Sequence, residues 1–136
     1  MIERRRVDAI YFLFPGGGCE AGETAGDAAV REGYEELGLH LRLRGLLAVV
    51  TFGHSEQHYF DVDVLSGRFG TGTGPEMANT LTSAGGTHRP VWLELDELSG
   101  IDLRPAAIRD RFAGDRAHAA RVLAELTESP LRIHEP

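Results

Sequence analysis

The stretch from Pro15 to Leu39, PGGGCEAGETAGDAAVREGYEELGL, constrains this chain more than any other, because it crowds glycines and carboxylates around the start and body of one helix. Thr24 is placed to cap that helix, with Asp27 three residues on as the capping-box partner, and Ala28 to Leu37 fill the turns that follow. At about 100° per residue, Glu32, Glu35 and Glu36 fall on one face, with Val30, Gly33, Tyr34 and Leu37 on the opposite one. Like charges at these spacings cost an isolated helix about 0.2–0.5 kcal/mol per pair. Nothing local favours the clustering, but a bound cation would. Hard divalent ions such as Mg²⁺ take oxygen ligands and are held by one or two carboxylates together with substrate phosphates. A solvated acidic helix face is the alternative that these glutamates alone leave open.

The flanking chain reads as a frame for that helix. Ala9 to Phe14 is an apolar run stopped by Pro15, as expected of a buried strand. Leu41 to Phe52 reads as strand, bulge at Gly45, strand, and Tyr59 to Leu65 alternates as its partner across a turn from Gly53 to Gln57. From Ser66 to Pro90 the composition shifts to glycine, threonine and serine, which suits a surface loop or a substrate lid. Its Gly70, Gly72 and Gly74 lack the GK[ST] of a phosphate loop. Val91 to Leu95 reads as a further strand. Pro105 opens a helix through Phe112, and Asp115 opens a last one, with an apolar stripe of Ala119, Val122, Leu123 and Leu126 before Pro130. This order predicts an α/β chain, a mixed sheet covered by helices, in one domain spanning residues 1–136.

Charge and cysteine content narrow the partners. A net charge of −7 leaves no basic patch to neutralise a long nucleic acid or an acidic membrane, whereas a free nucleotide needs only a cation or two. The single cysteine, Cys19, rules out an internal disulfide and fits a reducing compartment. There is no apolar run of about 18 residues to span a membrane, and no signal-peptide pattern follows Met1 to Arg6. The expected location is cytoplasmic.

The spacing within the central stretch is specific. Five residues separate Gly17 from Glu23, seven more lead to Arg31, and Arg31-Glu32-Gly33-Tyr34-Glu35-Glu36-Leu37-Gly38-Leu39 follows without a gap. This resembles the signature of the Nudix hydrolases. Gly33 is the one departure, standing where the family has an apolar residue; a close approach to a neighbouring element accounts for it at about 1 kcal/mol of helix propensity. The Trp-bearing segment Val91-Trp92-Leu93 and the Leu103-Arg104-Pro105 helix start extend the likeness over nearly the whole chain.

The resemblance implies a Nudix-type α/β/α sandwich with a mixed β-sheet. It also implies a metal-dependent attack of water on a phosphorus of a nucleoside diphosphate linked to another moiety. Carried over by position, Glu35 and Glu36 would bind Mg²⁺, or Mn²⁺ in its place, with the Gly16 carbonyl as a further oxygen. Glu32 would be a ligand or the general base, Arg31 would orient the glutamates, and Glu23 would tie the loop to the helix. A glutamate from a later loop, Glu76 ahead of Glu94, is the expected additional site residue. Read from the residues alone, Arg4, with Arg5 and Arg6, either reaches a substrate phosphate or merely solubilises the terminus. Ser55 stands where ADP-ribose enzymes tend to carry proline, and no tyrosine marks a dinucleoside-polyphosphate enzyme, so the substrate subclass is unread. A catalytically silent nucleotide sensor and an RNA-processing enzyme are the other readings. The family's strand before the one ending in Pro-Gly-Gly is not read in Met1-Ile2-Glu3-Arg4-Arg5; either the start is assigned too late or the sheet is left with an exposed edge, and the exposed edge predicts a homodimer.

Overall fold

The helix expected after Thr24 forms as Ala25–Leu37 (α1), and its first turn carries the complete capping box. Thr24 Oγ1 accepts from the Asp27 N–H at 3.1 Å, while the Asp27 carboxylate accepts from the Thr24 N–H at 3.2 Å. Two donors that the helix itself leaves unpaired are satisfied reciprocally. The computed structural model describes residues 1–78 and 86–135.

The strands are Ile2–Arg6 (β1), Ala9–Leu13 (β2), Leu39–Phe52 (β3), Ser55–Gly67 (β4), Thr87–Pro90 (β5), Leu103–Arg104 (β6) and Leu131–Glu135 (β7). Two further helices, Ala106–Phe112 (α2) and Arg116–Glu128 (α3), complete the set. The strands form two sheets, in the orders β5-β1-β2-β6 and β4-β3-β7. Each is mixed: β1 runs antiparallel to β2 and β5 while β6 joins β2 in parallel, and β3 is antiparallel to β4 but parallel to β7. Strand β3 is central. Its Leu47 packs on Val122 and Leu126 of α3, while Ala48 and Val50 pack on Ile108 of α2. A continuous apolar run, LLAVV, is what burial on both faces demands. The pairing with β4 slips between Leu43 and Gly45, at the expected bulge.

Gly33 meets the expectation of close approach, since a Cβ there would overlap Leu41 of β3. The helix faces are less simple than the periodicity suggests. Tyr34, assigned to the buried face, is 50% exposed and stacks on His40, whereas Glu36 is buried at 5%. The preceding loop reaches Glu36 through the Gly16 N–H.

Other expectations are corrected. The strand that seemed missing before Pro15 is present as β1, and its charged sequence IERRR is held because it pairs on both sides, with β2 and β5. Its buried Glu3 is neutralised by Arg89 of β5, with N–O distances of 2.9 and 3.2 Å. The edge that prompted the homodimer expectation is therefore filled, with β2 lying between β1 and β6. Val91 to Leu95 is not a strand. The strand is Thr87–Pro90, and after Val91 the chain leaves the sheet so that Trp92 stacks on Phe69. The hairpin turn is shorter than expected, since β4 already starts at Ser55. Strand β7 went unread because Pro130 marks only where α3 must stop.

Candidate active site

Arg31, in the middle of α1, uses every donor it has. Its Nε and Nη2 grip the two Glu23 oxygens at 2.9 and 3.0 Å. Nη1 reaches Glu32 Oε1 and Glu35 Oε2, each at 2.9 Å, and Nη2 also reaches the Gly18 carbonyl at 2.9 Å. A guanidinium has five N–H groups in a planar fork, so Arg31 is fully engaged. Glu23 also accepts from the Glu20 N–H at 2.8 Å. The result joins the loop before the helix to the acidic face of the helix itself. Arg31 is held well above its ordinary range by its hydrogen bonds to Glu23 first and Glu32 next, and Glu23 is held below the usual carboxylate range chiefly by Arg31.

Beside this network the Gly16 N–H donates to Glu36 Oε2 at 2.8 Å, which lays the Pro15–Gly18 loop over the buried carboxylate. A Cβ at Gly17 would come within 2.6 Å of the Glu32 carboxyl carbon, so a side chain there would shift that carboxylate. The far end of α1 is fixed as well. The Gly70 N–H donates to the Leu37 carbonyl at 2.9 Å and the Gly74 N–H to the Glu35 carbonyl at 2.8 Å.

One guanidinium thus faces three carboxylates, and Glu36 stands next to them. The site carries surplus negative charge presented entirely through oxygen atoms, the donor chemistry that a hard divalent cation takes. Among the described residues no three acidic, histidine or cysteine side chains are gathered into a ready-made cage. Protein donors hold them instead: Arg31 on Glu32 and Glu35, Gly16 on Glu36. The donor set fits Mg²⁺ or Mn²⁺ and offers no nitrogen or sulfur to a softer metal.

Of the residues singled out from sequence, Glu23, Arg31, Glu32 and Glu35 meet in one network, with Gly16 and Glu36 joined beside it. Arg4 lies mid-strand in β1, in register with Tyr11 of β2 and His88 of β5. Glu76 falls in a 3-10 turn, Pro75–Ala78, but its side chain lies outside the described residues. Glu94 is exposed, ahead of a second 3-10 turn at Leu95–Gly100. Sequence reasoning missed the Gly18 carbonyl and the Glu20 N–H, which complete the Arg31 and Glu23 contacts. The unbroken run Gly16-Gly17-Gly18 was the available signal, because such a run lets backbone groups approach side chains closely.

A family model, the NUDIX domain, matches residues 1–113. No curated protein is significantly similar in sequence. Among solved structures, an ADP-ribose pyrophosphatase from Streptococcus suis superposes with a TM-score of 0.55 at 16% identity, covering 98% of this chain and 88% of that one. A NUDIX hydrolase from Nitrosomonas europaea gives a TM-score of 0.55 at 20% identity, covering 98% of this chain and 71% of its own. At these identities the likeness is one of fold.

Proposed function

The chain belongs to the Nudix family, and on that premise we propose that it is a pyrophosphohydrolase cleaving the diphosphate bond of a nucleoside diphosphate linked to another moiety. The observation that carries this reading is the surplus of carboxylate around a fully engaged Arg31, next to the buried Glu36 and the Gly16 loop. Glu32, Glu35, Glu36 and the Gly16 carbonyl would hold Mg²⁺ or Mn²⁺, which when bound neutralises phosphoryl charge and acidifies water. The protein's own part is positioning. Phosphoryl transfer asks for in-line geometry and charge stabilisation more than for covalent help. Arg31 fixes one oxygen of Glu32 and one of Glu35, and Glu23 fixes Arg31 to the loop. Glu32 keeps its second oxygen for the cation or for the proton of the attacking water. Water oxygen bonds to phosphorus, the bridging P–O bond breaks, and its electron pair leaves with the departing phosphate.

The S. suis neighbour is named an ADP-ribose pyrophosphatase, which makes ADP-ribose the first substrate to test in a panel of nucleoside diphosphate derivatives. Arg4 and Glu76 stay in the proposal as substrate contacts. The free, exposed Cys19 supports a reducing, cytoplasmic setting, and no helix among the described residues is long and apolar enough to cross a membrane. The proposal keeps a homodimer, but moves its edge from β2 to β4, the longest outer strand.

Hydrolysis should require a divalent ion, disappear with EDTA, and fall in Glu35→Gln and Glu36→Gln by more than the about 10–100-fold that supporting residues command. Circular dichroism should show both variants folded. Near-wild-type turnover in Glu36→Gln would sink the assignment, and saturable nucleotide binding without cleavage would identify the silent sensor instead.

A further inference from the structure

The sheet order brings an exposed aromatic pair to the end of the molecule that holds the carboxylates. Ile2 pairs with Leu13 on one side and with Pro90 on the other, so β2 and β5 leave the sheet at the same end. Beyond Leu13 lies the loop whose Gly16 bonds to Glu36. Beyond Pro90 comes Val91, whose N–H donates to the Met1 carbonyl at 2.8 Å, and then Trp92. The Trp92 indole is 71% exposed, yet it is not loose. It stacks on Phe69 with ring centroids 4.7 Å apart and planes 28° from parallel. Phe69 in turn packs against the core cluster formed by Ile2, Leu37 and Leu39, and Leu37 is the residue after Glu36.

The segment behind Phe69 is bonded to the last turn of α1. The Arg68 N–H donates to the Gly38 carbonyl at 3.1 Å, and the next two bonds, to Leu37 and Glu35, measure 2.9 and 2.8 Å. One face of the indole is therefore backed by a ring anchored to the same helix that carries Glu35 and Glu36. The rest of it meets water. A tryptophan stacked in that way presents a large planar surface. The ligand that matches it is a planar π system, and successive stacking needs no particular hydrogen-bond pattern.

We propose that Trp92, backed by Phe69, is the surface on which the nucleobase of the substrate stacks, and that it makes this protein select diphosphates that carry a base. The proposal rests on the hydrolase reading for its ligand class, but its test does not depend on turnover. Trp92 is the only tryptophan in the chain, so intrinsic fluorescence reports on this one position. The intact protein is titrated in Mg²⁺ with ADP, GDP, CDP and UDP, and separately with inorganic pyrophosphate. At least one nucleoside diphosphate should quench saturably while pyrophosphate does not. Calorimetry on Trp92→Ala should then show that nucleotide bound about 5–150-fold more weakly, with Trp92→Phe within a few-fold of wild type. Equal quenching by pyrophosphate, no quenching by any of the four nucleotides, or an unchanged Kd in Trp92→Ala overturns the proposal. Chromatography of ADP-ribose incubated with the same protein samples and Mg²⁺, scored for release of the nucleoside monophosphate, reports separately on hydrolysis, so loss of one reading is not mistaken for loss of the other.

Discussion

All five N–H groups of Arg31 are engaged by Glu23, Glu32, Glu35 and Gly18, and lysine cannot reproduce a planar fork with one point charge. Arg31→Lys should therefore lower turnover by about 10–100-fold, the range typical of residues that orient ligands, while leaving the requirement for a divalent ion intact. Steady-state kinetics across Mg²⁺ concentrations checks this; wild-type turnover would show that charge alone is what the site needs from Arg31. The partners of Arg31 were legible through the resemblance to the Nudix signature, which implies that Arg31 orients the glutamates and that Glu23 ties the loop to the helix. The burial of Glu36 was not. Periodicity assigns it to the acidic face, whereas the 2.8 Å bond from Gly16 comes from twenty residues earlier in the chain.

At the scale of elements, α1 was the most legible because its signals are local: a capping box at Thr24 and a glycine after Leu37. Gly38 closes the helix with φ 75°, and a Cβ there would come within 2.7 Å of the Arg68 carbonyl. Gly38→Ala should cost about 1–2 kcal/mol or more from the left-handed backbone alone, which lowers Tm by about 3–10 °C. Because the same turn receives the segment behind Phe69, nucleotide affinity should fall along with Tm. A thermal melt indistinguishable from wild type would mean that the C-terminal turn unwinds without consequence. Strand β1 was illegible for the opposite reason. Nothing in IERRR favours a strand except two partners, β2 and β5, the second of them 80 residues and more along the chain.

Over the whole molecule, cations hold several carboxylates in their charged form. Glu3, Glu23, Asp63 and Asp102 all lie below their ordinary range, chiefly through hydrogen bonds from Arg89, Arg31, Arg42 and Arg104 respectively. A carboxylate with a depressed folded-state value contributes stability above its unfolded value and loses it as pH falls through the folded one. Tm should accordingly be level from pH 7 to about 5 and drop below the ordinary carboxylate values of 3.8 to 4.5. Differential scanning calorimetry from pH 7 to 3 decides it, and a Tm that peaks near pH 4 would contradict the assignment.

The edges of the two sheets set the last expectation. With β2 enclosed by β1 and β6, the outer strands among the described residues are β5, β6, β7 and β4, and the first three span 4, 2 and 5 residues. Strand β4 is different, at 13 residues, with Val64 and Leu65 more than half exposed. A long outer strand with apolar side chains and unpaired backbone groups is the kind that a second chain extends, and a two-fold axis closes such a pairing. The protein should therefore scatter light as a dimer, twice its 14.8 kDa chain. A lysine on an outer strand blocks that pairing in natural proteins, so Leu65→Lys should yield a monomer at micromolar concentration with its melt still cooperative. If wild type is already monomeric, β4 is managed within one chain; if Leu65→Lys stays dimeric, the two copies meet on a surface other than this strand.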